Sequence, residues 1–176
     1  CINVYEHKKK NSKLSSQILY GEKFIILKEY KDWYKIKTSY DKYVGFIKKK
    51  KFEKFTSKPT HKVSSLKANI FFKPIKNSRI KMKLSFASLL HVKSSNKGFL
   101  KFDNNWIQKS DVVPLNYKEK IFKRISIFKN VKYKWGGKKF DGIDCSGLVQ
   151  LFFKFNNLYC PRDTGPQFRY FKRFKS

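Results

Sequence analysis

The apolar residues of this chain follow two different rhythms. Over residues 1–115 they come in short runs, some alternating with polar positions as around Phe24, Ile26 and Lys28, with Gly, Asn and Asp between the runs. That alternation predicts β-strands, and short strands broken by such turns predict small barrels. The pattern occurs twice, in a weak repeat. "VYEHKKKNSKLSSQILYGEKFIILKEYKDWYKIK" aligns with "IFFKPIKNSRIKMKLSFASLLHVKSSNKGFLKF", which pairs Val4 with Ile70, "KNSK" at 10–13 with "KNSR" at 76–79, and Trp33 with Phe99. The copies close on "YDKYVGFIKKKKF" and "FDNNWIQKSDVV", each a short strand flanked by aromatics. Between them "TSKPTHKVSSLK", residues 56–67, is polar, contains Pro59 and reads as a connector.

From Asn116 the spacing becomes helical. "YKEKIFKRISIFKN" puts Ile121, Phe122, Ile125 and Phe128 on one face of a helix, with Asn130 as its stop. A Gly-rich loop comes next. "SGLVQLFFKFNN" then crowds Leu148, Val149, Leu151, Phe152 and Phe155 onto a helix at 146–157 that only burial would tolerate. Pro161 and Pro166 interrupt any continuation. No further strands are in sight to cover this helix. One side bearing Phe152, Phe153 or Phe155 is therefore expected to be exposed, and the segment to be the first part of a longer domain.

Composition narrows the picture. Hydrophobic residues make up 40% and aromatics 18%, enough for packed cores. No apolar run approaches the roughly 20 residues that span a bilayer, so no transmembrane segment is expected. The formal charge is +30, which first suggests nucleic acid. Yet the arginines are only Arg79, Arg124, Arg162, Arg169 and Arg173, and the lysines run along the whole chain apart from "KKKK" at 48–51. Specific recognition of bases favours Arg, so this is a solvated basic surface with a general attraction for anionic polymers, the cell wall included, and no specific nucleic-acid partner. The cysteines, Cys1, Cys145 and Cys160, make no disulfide framework or metal site, and Cys160 reads as a small buried residue. A start at Cys1 marks a processed chain or a fragment, and the fragment is expected.

Candidate chemistry concentrates in "YKWGGKKFDGIDCSGLVQ", residues 133–150. Two glycines, a loop and a third glycine deliver Cys145 to the start of a helix. There the unpaired N–H groups and the positive dipole end favour a thiolate and can bind an oxyanion. Gly147 would let a substrate approach. Asp144 beside the thiol would not help it ionise and suits a cationic amine on a substrate. The plainer reading makes Cys145 a buried residue behind an Asp144 cap.

The full stretch, followed by "PRDTGPQ", resembles the NlpC-type cell-wall peptidases, papain-like cysteine peptidases of bacteria. Tyr133, Trp135, Gly136, Gly137, Asp144, Cys145, Ser146, Gly147, Pro161, Arg162, Asp163 and Gln167 stand at the places of that family's signature. The repeat agrees, since "LYGE", "DWYKI" and "DKYVGF" look like parts of the bacterial SH3-like barrels that often precede such a domain. The resemblance implies an α+β fold: two small SH3-like β-barrels, 1–55 and 68–115, joined by a linker at 56–67, then the N-terminal part of a papain-like peptidase domain at 116–176. It implies that Cys145 attacks the bond between γ-D-glutamate and a diamino acid in peptidoglycan peptides, forming an acyl-enzyme with no cofactor. Asp144 would pair with a free L-alanine amine, Ser146 would add a polar contact, Tyr43 would close the pocket and Tyr133 would line it near the thiol. Trp135 reads as packing, Arg162 and Asp163 as a structural pair, and Gln167 stays unassigned.

In this family the base is a histidine several dozen residues after the cysteine. His7, His61 and His91 all lie upstream, and none is expected to serve. These residues alone are thus expected not to hydrolyse peptide. The alternative is a non-catalytic module that binds cell-wall peptide. The compartment of this bacterial chain, envelope, periplasm or cytoplasm, stays open.

Overall fold

A computed structural model describes residues 1–52 and 57–173. The expected boundary between first barrel and linker, at 55 and 56, and the last residues of the expected peptidase segment lie outside the described residues. The first five strands form one antiparallel sheet: β1 (Ile2–Tyr5), β2 (Leu14–Ile18), β3 (Phe24–Glu29), β4 (Trp33–Thr38) and β5 (Val44–Lys48), ordered β2-β1-β5-β4-β3. Its alternation buries Val4, Ile18, Ile36 and Ile47 in one core, against which Phe24, Tyr34, Tyr43 and Phe52 pack. Gly21, with a φ of 78°, turns the chain out of β2 where a Cβ would strike the Leu89 carbonyl. This turn also carries the hydrogen bond from Leu89 N to Tyr20 O, so the first and second units touch there.

Eight strands follow: β6 (His61–Val63), β7 (Lys67–Phe71), β8 (Ile80–Ser85), β9 (Leu89–Leu90), β10 (Val92–Asn96), β11 (Phe99–Phe102), β12 (Asn105–Gln108) and β13 (Val112–Pro114). They make a five-stranded sheet, β10-β11-β12-β7-β8, and a three-stranded one, β13-β6-β9. Both sheets feed a single core that includes Val63, Ile70, Leu90, Phe102 and Ile107. Part of the expected connector is therefore structural. β6 inserts between β13 and β9, a pairing invisible in so short and polar a stretch.

The expected helix around 121–128 does not form. Phe122 takes a φ of 68°, and the segment closes by three-residue turns, with only a short 3-10 helix at Ile125–Phe128. Only Phe128 of the proposed face is buried. After it come the small hairpin β14 (Lys138–Lys139) and β15 (Gly142–Ile143), then α1 (Cys145–Phe155) and α2 (Thr164–Lys172).

The expectation of an uncovered α1 is also corrected. Phe152 and Phe155 are each 1% exposed. Phe86 of the second unit stacks on Phe155 at 4.5 Å and lies 5.3 Å from Phe152, and Leu19 and Phe128 join the same cluster. Phe153, half-buried, meets Phe171 and Phe122. Long-range cover of this kind leaves no periodic trace near α1. Among the described residues no helix is long and apolar enough to cross a membrane.

Candidate active site

The site is built where α1 begins. Asp144, with extended backbone, caps the helix by accepting the Gly147 N–H at 2.6 Å. Cys145 is the first helical residue and its thiol is exposed, whereas Cys160 is fully buried, and burial pushes the Cys160 thiol up to about 12. With the Gly147 N–H taken by Asp144, the N–H groups of Cys145 and Ser146 are the first-turn donors that have no intrahelical acceptor. Gly136 holds a φ of 70° and gives its N–H to Asp144 Oδ2 at 2.8 Å, and a Cβ there would meet Leu14 O at 2.7 Å. The glycine loop is thus pressed between β2 and the helix cap. Gly147 serves packing rather than substrate access: a Cβ would meet Gly137 O at 2.6 Å.

Behind the thiol lies a buried polar network. Arg162, 2% exposed, donates from Nη1 to Asp144 Oδ1 at 3.0 Å and from Nη2 to Asp144 Oδ2 at 2.7 Å. Its Nη1 also reaches Ser146 Oγ at 2.9 Å, and its Nε reaches Ser16 Oγ of β2 at 3.0 Å. Gln167 donates to Ser146 O and Pro161 O, each at 2.9 Å, which assigns it to holding the turn before α2. Arg162 therefore pairs with Asp144, not with its neighbour Asp163. A buried guanidinium needs a counter-ion, and Asp144 supplies it. Both Asp144 oxygens are engaged with protein donors, and the carboxylate also lines the cleft in front of the thiol.

In front of the thiol is a cleft of about 220 Å³ lined by Glu6, Ser15, Tyr43, Tyr133, Trp135, Asp144, Cys145, Ser146, Asp163 and Thr164. Every residue expected at the site, Cys145, Asp144, Ser146, Tyr133 and Tyr43, lines it. Tyr133 and Trp135 are 66% and 63% exposed, so Trp135 forms an open wall rather than packing. Tyr43 arrives from the turn before β5. Burial pushes its phenol up; Ser15 hydrogen-bonds it, and the carboxylates of Asp163 and Glu6 act on it as well. The Asp163 carboxyl is likewise raised, by burial first and then, against Arg162, by Asp144, Asp41 and Glu6. Glu6, Ser15 and Thr164 carried no role in the sequence, and Asp163 read only as the structural partner of Arg162. Glu6 lies 139 positions before Cys145 (145 − 6), and only folding of the first sheet brings it here.

None of the three histidines, all among the described residues, lines this cleft. The His7 backbone N–H bonds Ser12 Oγ, His61 sits in β6 beside Thr60, and His91 Nδ1 is 2.7 Å from Lys58 O. Among the described residues no cluster of His, Cys, Asp and Glu is arranged to hold a metal ion.

Comparison with known proteins finds matches to two segments of the chain. Residues 130–176 match the NlpC/P60 family, and residues 4–52 match the bacterial dipeptidyl-peptidase SH3 domain. A gamma-D-glutamyl-L-lysine dipeptidyl-peptidase of Bacillus subtilis is 29% identical over 173 residues, covering 88% of this chain and 57% of the relative. One of the same name from Bacillus cereus is 23% identical over 184 residues, covering 90% and 55%. The crystal structure of an NlpC/P60 family protein from Bacillus cereus superposes with a TM-score of 0.75 at 23% identity, over 90% of this chain and 60% of that one. The chain thus spans little more than half the length of the curated relatives it matches, and it shares the fold of an NlpC/P60 protein, mostly sheet with two α-helices among the described residues.

Proposed function

From an NlpC/P60 segment that follows a bacterial SH3 segment, we propose that this chain forms the nucleophile half of a cysteine endopeptidase acting on peptidoglycan peptides. The bond cut is that between γ-D-glutamate and a diamino acid, with lysine favoured by the names of the relatives. One observation carries the reading. An exposed thiol at a capped helix start opens into a small cleft whose far wall is made by another unit of the chain.

Cys145 Sγ attacks the γ-glutamyl carbonyl, the first-turn N–H groups of α1 hold the oxyanion, and the diamino acid's amine leaves with a proton. Water then frees the acyl group. Glu6 and Asp163, with Asp144 beside them in the cleft, hold the ammonium of an N-terminal L-alanine, with Tyr43 closing that end and Ser146 adding a polar contact. Asp144, fixed by Arg162, orients the helix start, and Tyr133 and Trp135 flank the peptide. The proton acceptor is a histidine other than His7, His61 and His91, so these residues alone bind peptide without turning it over. The second β unit, 68–115, serves as a second SH3-like barrel.

The test uses the Cys145→Ala chain and L-alanyl-γ-D-glutamyl-L-lysine in calorimetry. The free peptide should bind about tenfold or more tightly than its N-acetyl form, with that margin lost in Glu6→Gln. Equal affinity for both forms would remove the amine pocket, and no binding of either would remove the substrate. Product formed by the unmutated chain, and abolished by Cys145→Ala, would overturn the expected inactivity. A purely binding module is the second reading, favoured by the histidine-free cleft, and it predicts the same peptide binding with no alkylation of Cys145 by iodoacetamide.

A further inference from the structure

The turn between β7 and β8 lies in the second unit and plays no part in the cleft. Its sequence, "FFKPIKNSRIKMK" at 71–83, puts large apolar side chains where the protein has no core to give them. Ile75 is 58% exposed and Phe72 46%, with Ile80 and Met82 also open to solvent. Phe72 and Ile75 line a shallow depression of about 520 Å³ together with Lys73, Asn77, Ser78 and Arg79. The cations sit on the apolar groups: the Arg79 guanidinium lies 6.0 Å and the Lys81 ammonium 5.6 Å from the centre of the Phe72 ring.

The tip is ordered. Lys73 N donates to Ser78 Oγ at 3.2 Å, Ser78 N to Ile75 O at 3.0 Å, and Phe72 N to Arg79 O at 3.4 Å. Its apolar residues are therefore held outward by the backbone, and binding through them orders little that is not ordered already. No Asp or Glu stands between Glu53 and Asp103 in the sequence, so nothing along this stretch offsets the surrounding lysines.

We propose that this hairpin docks the protein onto an anionic phospholipid surface, with Phe72 and Ile75 at the acyl boundary and Lys73, Arg79 and Lys81 on the lipid phosphates. Two alternatives fit less well. A soluble anionic polymer would reward the cations but leave the apolar tip in water. A second copy of the chain would bring together two bodies of formal charge +30.

The experiment is co-sedimentation of the whole chain with vesicles of phosphatidylcholine alone or mixed with phosphatidylglycerol. Binding should require phosphatidylglycerol. Phe72→Ser with Ile75→Ser should weaken it about tenfold while leaving binding to soluble poly(glycerol phosphate) unchanged. Lys73→Gln with Arg79→Gln should cost about 25-fold, at about fivefold per charge near the surface. Lys93→Gln with Lys97→Gln removes the same charge from exposed positions in β10 and the turn after it, and should cost far less. The proposal is overturned if the two charge variants lose binding equally, or if the apolar variant binds vesicles like the parent. It is also overturned if the parent takes poly(glycerol phosphate) in preference to vesicles, which would make a wall polymer the occupant. Thermal melts of each variant at the parent's midpoint show that the fold is intact.

Discussion

At the residue scale the site depends on one buried ion pair. Asp144 can cap α1 and hold the Gly136 N–H only while its charge is balanced, and the balancing group is Arg162. Replacing Arg162 with Met should leave an uncompensated carboxylate and cost about 3–5 kcal/mol of stability, read from urea unfolding. Adding Asp144→Asn should restore much of that loss, because no charge is then stranded. If the double variant is as unstable as Arg162→Met, the guanidinium matters for its packing and its bond to Ser16 rather than for charge. The motif made Asp144 and Cys145 legible, since a helix-start thiol after a cap is a local pattern. It could not make the Asp144–Arg162 pair legible, because Asp163 stood nearer to Arg162 in sequence and the choice between them is made by the fold. Glu6 was hidden for the same reason.

At the element scale, the end of α1 opposite the thiol is held by a residue from the expected connector. The Lys62 side chain, buried within the second unit, donates to Tyr117 O at 2.5 Å and to Phe155 O in the last turn of the helix. A cation there satisfies carbonyls that α1 cannot and complements the negative end of its dipole. Burial nonetheless lowers the Lys62 ammonium to about 8. Lys62→Met keeps the stem and removes the donors, and should cost about 1–3 kcal/mol in a urea titration. A variant as stable as the parent would mean that burial of the ammonium cancels what it gives to the helix end. Strands with clear alternation, such as β4 and β12, could be read from sequence. β6 could not, being three residues long, and the helix expected near 121–128 failed because Phe122 adopts a left-handed backbone that periodicity cannot foresee.

At the scale of the whole molecule, one acid ties the first sheet to the segment that carries Cys145. Glu22 follows β2, while Lys138 and Lys154 belong to β14 and α1. Lys154 Nζ is 2.5 Å and Lys138 Nζ 3.7 Å from Glu22 Oε1, and all three side chains are nearly buried. Burial alone would raise the Glu22 carboxyl, but the two ammonium groups outweigh it and bring the value from 4.5 down to about 2. Between those two values the unfolded chain holds more protons than the folded one, so the clamp stabilises fully above pH 4.5 and fades as the pH falls toward 2. Glu22→Gln should therefore melt below the parent at neutral pH, by about 3–5 kcal/mol, because two buried ammonium groups lose their partner. It should also lose the part of the acid-induced drop in melting temperature that falls in that window. Parallel curves of melting temperature against pH for parent and variant would refute the clamp. Because Glu6 and Tyr43 reach the cleft from the same sheet that Glu22 anchors, the variant should also weaken tripeptide binding to the Cys145→Ala chain, even though Glu22 does not line the cleft.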